Sequence, residues 1–264
     1  MNLRHFFRDL LPHSLVERQR TLFRLQRLGL SPSVSDTARY AAAANVCRFD
    51  LWPQFLRDAR DWTLVDVGAN GGDFIRGATL LAKPAAVVAF EPLPACQQML
   101  APLLASTPTG QLVRAAVGSA SGEVELNCTG NTKMSSVLRP QSGIEGSYPD
   151  GDYAVVQKLK VPVVRLDDIL APDTRIGLLK IDVQGYEMEV LRGAPCTLGQ
   201  TQALLVEINY APHYEGAVSF DEVHTFLRNA GFQLHGISAP YGDERRPLWA
   251  DAMYVAKAVR KGNP

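Results

Sequence analysis

The sequence predicts an α/β fold: a largely parallel β-sheet with helices on both faces, preceded by a helical extension. Two observations carry this. From about residue 62 onward, short apolar runs alternate with segments of helical periodicity, the pattern of strand–helix–strand units. Several runs end on a glycine turn or an acidic residue, as strands do when they deliver side chains to one edge of such a sheet. Before residue 62, Pro12, Gly29, Pro32 and Pro53 punctuate short helical stretches. The expected division is a helical extension over 1–60 and a sheet domain over 61–260.

The elements follow in order. Thr63–Val67 reads as a buried strand closed by Gly68-Ala69-Asn70-Gly71-Gly72. Phe74, Ile75, Ala78 and Leu81 recur at helical spacing and stop at Lys83-Pro84. Ala86–Phe90 is the second strand, ending at Glu91-Pro92, and a helix runs on through Met99, Leu100, Leu103 and Leu104. Leu112–Val117 is the third strand. The alternation then breaks. Residues 119–160 show one short strand, Glu123–Leu126, and no long helix, and a loop of that length in an enzyme is more often functional than passive. Val161–Leu166 is a strand and Asp167–Leu170 a helical turn. Ile176–Asp182 resumes the pattern, followed by a helix from Tyr186 to Gly193, a strand at Ala203–Ile208 and a helix carrying Phe220, Val223, Phe226 and Leu227. Phe232–Ile237 and Ala252–Ala258 close the sheet as an edge hairpin.

Composition narrows the function classes. The chain has 264 residues, 46% of them hydrophobic, which suffices for a packed core and excludes wholesale disorder. No apolar run reaches the roughly 20 residues that span a bilayer, and charges interrupt the N-terminal apolar clusters, so no secretory signal is expected. The 27 basic and 27 acidic residues cancel, so no general affinity for nucleic acid is expected. Cys47, Cys96, Cys128 and Cys196 form no close pair, and they are expected as incidental thiols of a cytoplasmic protein.

Acidic or polar residues close four strands: Asp66 with the glycine loop, Glu91, Asp182, and Glu207 with Asn209. In an open α/β sheet, ligands bind outside those strand ends. A nicotinamide-dependent oxidoreductase would need glycines at 68, 70 and 73, and the residues are Gly68, Asn70 and Asp73. Asn70 is suited to left-handed geometry, which brings backbone N–H groups close to a carboxylate or a ribose. A carboxylate 23 residues beyond Gly68, at the end of the second strand, suits ribose hydroxyls.

The segments VDVGANGGDF (65–74), AFEPLP (89–94), AAVGSASGEVEL (115–126), VPVVRLDDIL (161–170), LKIDVQGYEMEVLRGA (179–194) and LLVEIN (204–209) together resemble the FkbM-type methyltransferases. The resemblance covers about residues 60–258. It implies a class I, Rossmann-like methyltransferase sheet and the cofactor S-adenosyl-L-methionine. It also implies roles. Asp66 and Gly68 through Gly72, with Asn70 among them, would shape the pocket for the methionine part. Glu91 would hold the ribose, and Ala116 and Val117 would lie against the adenine. Ser135-Ser136 match a serine pair seen in many members, which would make the insertion a wall or cover of the substrate pocket. Arg114 and Gly118 stand where members often carry Asn and Ser. The activity implied is O-methylation of a hydroxyl on a sugar, a polysaccharide precursor or a secondary metabolite, so the partner is a small-molecule or glycan acceptor. A decayed methyltransferase fold serving only as a binding protein would be signalled by loss of Asp66, Gly68, Glu91 or Asp182, and all four are present.

On the acceptor side, Asp182 is a candidate base or a holder of the acceptor hydroxyl, with helix capping as its alternative role. His213 is the histidine best placed to act as a neutral-pH base, although a lone loop histidine is more often solvated. Asp182, Glu207 and Asn209 also resemble the oxygen ligands of magnesium-dependent O-methyltransferases, which makes Mg2+ a candidate cofactor. Lys180, on the strand face of Asp182, is expected in a salt bridge. Glu187 reads as a first-turn carboxylate favoured by the helix dipole, and His224 as a surface residue. Tyr148, Tyr153 and Trp249 are candidates to stack on a flat ligand face.

The charge is unevenly distributed. Residues 1–30 hold six arginines against Asp9 and Glu17, net +4, and interleave them with Leu3, Phe6, Phe7, Leu10, Leu11, Leu22, Phe23, Leu25 and Leu28. The remaining 21 cations and 25 acids leave the body at −4, which disfavours a polyanionic acceptor. A basic amphipathic arm suits docking on its own body or on a second subunit, or peripheral contact with the inner membrane.

Overall fold

A computed structural model describes residues 13–33, 35–142, 153–211, 213–243 and 246–257. Tyr148 and the apolar positions from Leu3 to Leu11 lie outside the described residues. Helices α1 (His13–Arg27) and α2 (Thr37–Val46), a 3-10 turn at Phe49–Leu51 and α3 (Gln54–Asp58) precede β1 (Thr63–Val67). Then come α4 (Asp73–Leu81), β2 (Ala86–Phe90), α5 (Pro94–Ala105), β3 (Gly110–Val113), β4 (Ala116–Val117) and β5 (Gly122–Thr129). After β6 (Val155–Val164) follow α6 (Leu166–Ile169), β7 (Ile176–Ile181), α7 (Glu187–Arg192), α8 (Pro195–Gln200), β8 (Thr201–Asn209), α9 (Phe220–Asn229), β9 (Phe232–Ile237), β10 (Tyr241–Asp243) and β11 (Arg246–Ala256). No helix among the described residues is long and apolar enough to cross a membrane.

The main sheet has the order β10-β11-β8-β7-β1-β2-β3, with β9 also paired to β11. The strands from β8 through β3 run parallel, and β11 is antiparallel to all three of its partners, β8, β9 and β10. The closing pair therefore forms as expected, but β11 lies inside the sheet, between β8 and β9. Chain order reverses at β1: β2 and β3 lie on one side, β7 and β8 on the other. That switch point opens a crevice at the carboxyl ends of β1 and β7.

The two sheet faces bury different sets of side chains, because alternate residues of a strand point to opposite faces. Val65, Val67, Leu179, Ile181, Leu204 and Val206 pack with Val190, Leu191, Val223 and Leu227 on one face. Leu64, Ala89, Leu178, Leu205 and Met253 pack on the other with Ile75, Ala78, Leu100 and the N-terminal Leu25, Phe49, Trp52 and Leu56. By the same alternation, Asp66, Lys180, Glu207 and Asp251 project on this second face. The helical extension thus covers the face that carries the charged residues.

Four expectations change. The third strand divides: Gly110–Val113 stays in the main sheet, whereas Ala116–Val117 pairs with β6 in a separate three-stranded sheet. The chain leaves the main sheet at Arg114, whose Nη1 donates to Gln97 Oε1 at 3.1 Å. The insertion is not a plain loop, since β5 and β6 form an antiparallel ribbon with Lys158–Glu125 and Lys160–Glu123 pairs on its exposed side. Helix α8 starts at Pro195, directly after Gly193-Ala194, where the sequence signalled a stop; Pro at the first position initiates a new helix there. His224 is half-buried rather than a surface residue, with Nδ1 3.1 Å from the Tyr254 hydroxyl.

Candidate active site

The glycine loop turns over the end of β1. Gly68 has φ +79°, and a Cβ there would lie 1.9 Å from the Asp182 carbonyl oxygen, so only glycine lets the ends of β1 and β7 meet. Asn70 adopts the left-handed geometry expected of it, φ +45°. The amides of the loop are committed. Gly68 and Ala69 donate to Phe90 O, Asn70 to Glu91 Oε2, Gly71 to Asn70 Oδ1 and Gly72 to Ala69 O. The expectation that these N–H groups approach a ligand therefore gives way: Asn70 N–H holds Glu91, and Glu91 faces the ligand space. Its other oxygen accepts from Leu93 N at 2.7 Å. Burial pushes the Glu91 carboxyl up, and these two backbone donors hold it back.

A cavity of about 350 Å³ follows the carboxyl edge of the strands, a volume suited to a small-molecule ligand. Glu91, Phe90, Leu93, Ala116, Val117 and Leu126 line it toward β2 and β4, and Lys180, Asp182, Glu207, His213, Trp249 and Asp251 toward β7, β8 and β11. Arg48 reaches it from the helical extension.

Lys180 organises the floor. It stands opposite Asp66 in the β1–β7 register, with Nζ 3.0 Å from Asp66 Oδ1, 3.5 Å from Asp182 Oδ2 and 3.0 Å from Gly68 O. Burial by itself would lower the ammonium, but Asp66 and Asp182 outweigh it and hold Lys180 above its ordinary value. Asp251, opposite Glu207 in the β11–β8 register, meets Arg48 Nε at 2.6 Å. Burial pushes Glu207 well above the usual carboxylate range, and the neighbouring Asp182, Glu187 and Asp251 push it further.

Residues 132–138 pass over the cavity as a strap. Asn70 Nδ2 donates to Thr132 Oγ1 at 3.2 Å, and Ser136 Oγ donates to the Gln184 carbonyl at 2.7 Å. Buried Asn127 donates to the carbonyls of Ser136, Val137 and Leu138 at 3.1–3.3 Å. Ser135 and Ser136 both line the cavity.

Gly68, Asn70, Glu91, Ala116, Val117, Asp182, Glu207 and His213 lie around one cavity, and Asp66, Gly72 and Asn209 lie outside its lining. Asp66 is fully buried beneath the floor and acts on the cavity through Lys180. Gly72 caps α4 at φ +84°, and a Cβ there would meet Leu100 and Leu103. The expected Mg2+ set does not assemble. Asn209 is absent from the lining, and the Gln184 amide donates to Asp182 Oδ1 at 2.9 Å and to Glu207 Oε2 at 3.3 Å, placing a hydrogen-bond donor where a cation would need to sit. The residues present do not fit the ion.

Asp182 caps no helix. Helix α7 has no side-chain cap at Tyr186, and Glu187 Oε1 instead accepts from Val183 N and Gly185 N in the turn before it, each at 3.1 Å. Glu187 stands in the first turn of α7 as expected but is only 2% exposed, and burial pushes its carboxyl up to about 7. His213 is 3% exposed instead of solvated, with its ring 6.5 Å from that of Tyr153. Trp249 stacks on Tyr241. Sequence reasoning missed Gln184, Arg48 and Asp251. A left-handed Gln has no sequence signature, and the Arg48–Asp251 pair joins residues 203 positions apart.

The model of the methyltransferase FkbM domain matches residues 66–234. Methyltransferase sdnD of Sordaria araneosa is 32% identical over 155 residues, 49% of this chain and 59% of that protein. The 31-O-demethyl-FK506 methyltransferase FkbM of Streptomyces tacrolimicus is 29% identical over 218 residues, 74% of this chain and 79% of its own. The 2-O-methyltransferase NoeI of Sinorhizobium fredii is 27% identical over 177 residues, 61% and 69%. The chain thus spans about three fifths of the first of these relatives. Among solved structures, methyltransferase FkbM from Methylobacillus flagellatus overlaps 92% of this chain and 60% of its own, with 16% identity and a TM-score of 0.49. With the family model matching more than half of its length, over the segment that builds the switch-point crevice, the chain belongs to the FkbM methyltransferase family.

Proposed function

We propose that the protein transfers a methyl group from S-adenosyl-L-methionine to a hydroxyl oxygen of a small-molecule or glycan acceptor. The observation that carries this reading is one continuous cavity lined by both Glu91, after β2, and Asp182, after β7, on opposite sides of β1 at the switch point of the sheet. The cofactor supplies an electrophilic methyl on a sulfonium centre. Glu91, fixed by Asn70 N–H and Leu93 N–H, keeps lone pairs for ribose hydroxyls. Ala116, Val117, Leu93 and Phe90 offer apolar surface to a base.

On the β7 side Asp182 holds the acceptor hydroxyl and takes its proton as the oxygen attacks, with buried His213 as the other base within the same walls. Methyl transfer is an in-line displacement, so the main demand on the protein is alignment and exclusion of water. The strap over the cavity suits that demand. Oxygen as the nucleophile is also supported by the names of two relatives, which specify 31-O and 2-O positions. Asp182, Glu207 and Asp251 stand in the cavity wall with Lys180 and Arg48, and a neutral polyhydroxylated acceptor suits that mixed lining.

Titration calorimetry with S-adenosylmethionine and S-adenosylhomocysteine tests the reading, and absence of binding at millimolar concentration in folded protein would overturn it. Glu91→Ala is expected to weaken binding by about tenfold or more, or roughly 1.4 kcal/mol. Wild-type affinity in that variant would remove the ribose assignment.

A further inference from the structure

Gln184 sits in the left-handed region at φ +57°, where a residue with a Cβ is strained. Four hydrogen bonds hold it there. Ser136 Oγ donates to its carbonyl at 2.7 Å, and the Tyr214 hydroxyl shares its one proton between Gln184 Oε1 and the Met134 carbonyl, each at 2.9 Å. Its Nε2 donates to Asp182 Oδ1 at 2.9 Å and to Glu207 Oε2 at 3.3 Å. In this orientation each end of the amide meets a complementary partner, N–H groups toward the two carboxyl groups and oxygen toward the Tyr214 hydroxyl.

The strain has a geometric consequence. A left-handed residue turns the chain back at the end of β7, which brings the Gln184 side chain over the ends of both β7 and β8. An amide suits the position chemically. It offers two N–H donors to two acceptors, carries no charge and does not compete as a base. A carboxylate at 184 would repel its neighbours, and an ammonium would neutralise them.

Asp182 is the residue most affected. Its Oδ1 is held by Gln184 and its Oδ2 stands 3.5 Å from Lys180, while 37% of the side chain remains exposed toward the cavity. Two anchors from different directions fix the plane of the carboxylate and leave one side open. The Gln184 carbonyl is also tied to the strap through Ser136, so the strap and the carboxylate pair share one joint.

We propose that Gln184 is a positioning residue: its side-chain amide ties the Asp182 and Glu207 carboxylates into one fixed arrangement, and its backbone locks that arrangement to the strap over the cavity. The inference rests on the methyl-transfer reading for what Asp182 does, but not for the geometry.

Gln184→Gly and Gln184→Asn test it. Glycine removes the amide and relieves the left-handed strain. Asparagine tolerates the same backbone and keeps an amide, but is one methylene too short to reach both carboxylates. Crystal structures of both variants are expected to show the Asp182 and Glu207 carboxylates parted by about 1 Å or more, a displacement that costs on the order of 100-fold in turnover. In steady-state assays kcat is expected to fall by that factor, with KM and S-adenosylhomocysteine affinity within about threefold of wild type. Unmoved carboxylates, or a lowered thermal midpoint with unchanged kcat, would overturn the proposal, the latter by making Gln184 merely structural. If the wild type binds no S-adenosylhomocysteine and methylates nothing, the methyl-transfer reading fails instead, and the crystal structures still decide the role of Gln184.

Discussion

Lys180 and Asp66 face each other from adjacent parallel strands, in a floor where Asp66 has no exposed surface. Removing one partner of a buried pair leaves a bare charge, a larger penalty than the pair itself is worth. Lys180→Met is expected to lower the unfolding free energy by about 3–5 kcal/mol in urea titrations. Adding Asp66→Leu in the same chain should recover most of the loss, and a wild-type midpoint for the single variant would contradict the assignment. Glu187 gives a pH dependence. Its carboxyl is raised from the ordinary 4.5 to about 7, so the folded state holds the proton more tightly than the unfolded chain. Its contribution is therefore most favourable below pH 4.5, declines as pH rises toward 7 and is level above. Glu187→Gln keeps an acceptor for Val183 N–H and Gly185 N–H, and should stabilise the protein by on the order of 2 kcal/mol near pH 8 with little effect near pH 5. Equal gains at both pH values would exclude this origin.

At the scale of elements, the ribbon of β5 and β6 shapes the cavity without entering the main sheet. Beside backbone bonds between Asn127 and Ser136 and a bond from Thr129 N to Ser135 Oγ, it holds the strap through Asn127, 3% exposed, whose amide gathers three successive carbonyls. Asn127→Ala leaves the Val137 and Leu138 carbonyls short of a buried donor, at a cost of about 2 kcal/mol, while Ser136 O keeps the backbone N–H of residue 127. Hydrogen exchange at Ser136 and Leu138 should then accelerate, while the amides of β1 keep wild-type protection. Unchanged exchange at both strap positions would mean that the strap is held by other contacts. The turn from β1 to α4 combines local geometry with tertiary ties: Gly68, Asn70 and Gly72 take positive φ, and the loop amides are tied to Phe90 and Glu91.

At the scale of the whole molecule, the helical extension belongs to the same core as the sheet. Phe49, Trp52 and Leu56 are at most 2% exposed and pack with Leu64, Leu178 and Met253. Val46 and Arg48 line the cavity from this segment, and Trp249 and Asp251 line it from β11, all four outside residues 66–234 of the family match. Deleting residues 1–60 should therefore give a chain without cooperative thermal unfolding. A soluble 61–264 fragment with a sharp transition and wild-type S-adenosylhomocysteine affinity would contradict this.

The same scale separates what was legible in the sequence from what was not. Strand β1, the glycine loop, β2 with Glu91, and β7 with Asp182 were readable, because apolar period, turn chemistry and strand-end acids are local properties. The division of Leu112–Val117 between two sheets was not, since pairing partners decide it and both halves look like strand. The candidate site splits in the same way. The sequence by itself determined which carboxylates reach the edge of the sheet, because strand alternation sends every second residue to one face. Only the tertiary structure decided which of them meet a ligand, which support others and what stands between them. Asp66 became a buried partner of Lys180, Asn209 fell outside the cavity and Gln184 took the place expected for a metal ion. Burial, register and long-range pairing set those outcomes, and they are properties of distances that a linear pattern does not contain.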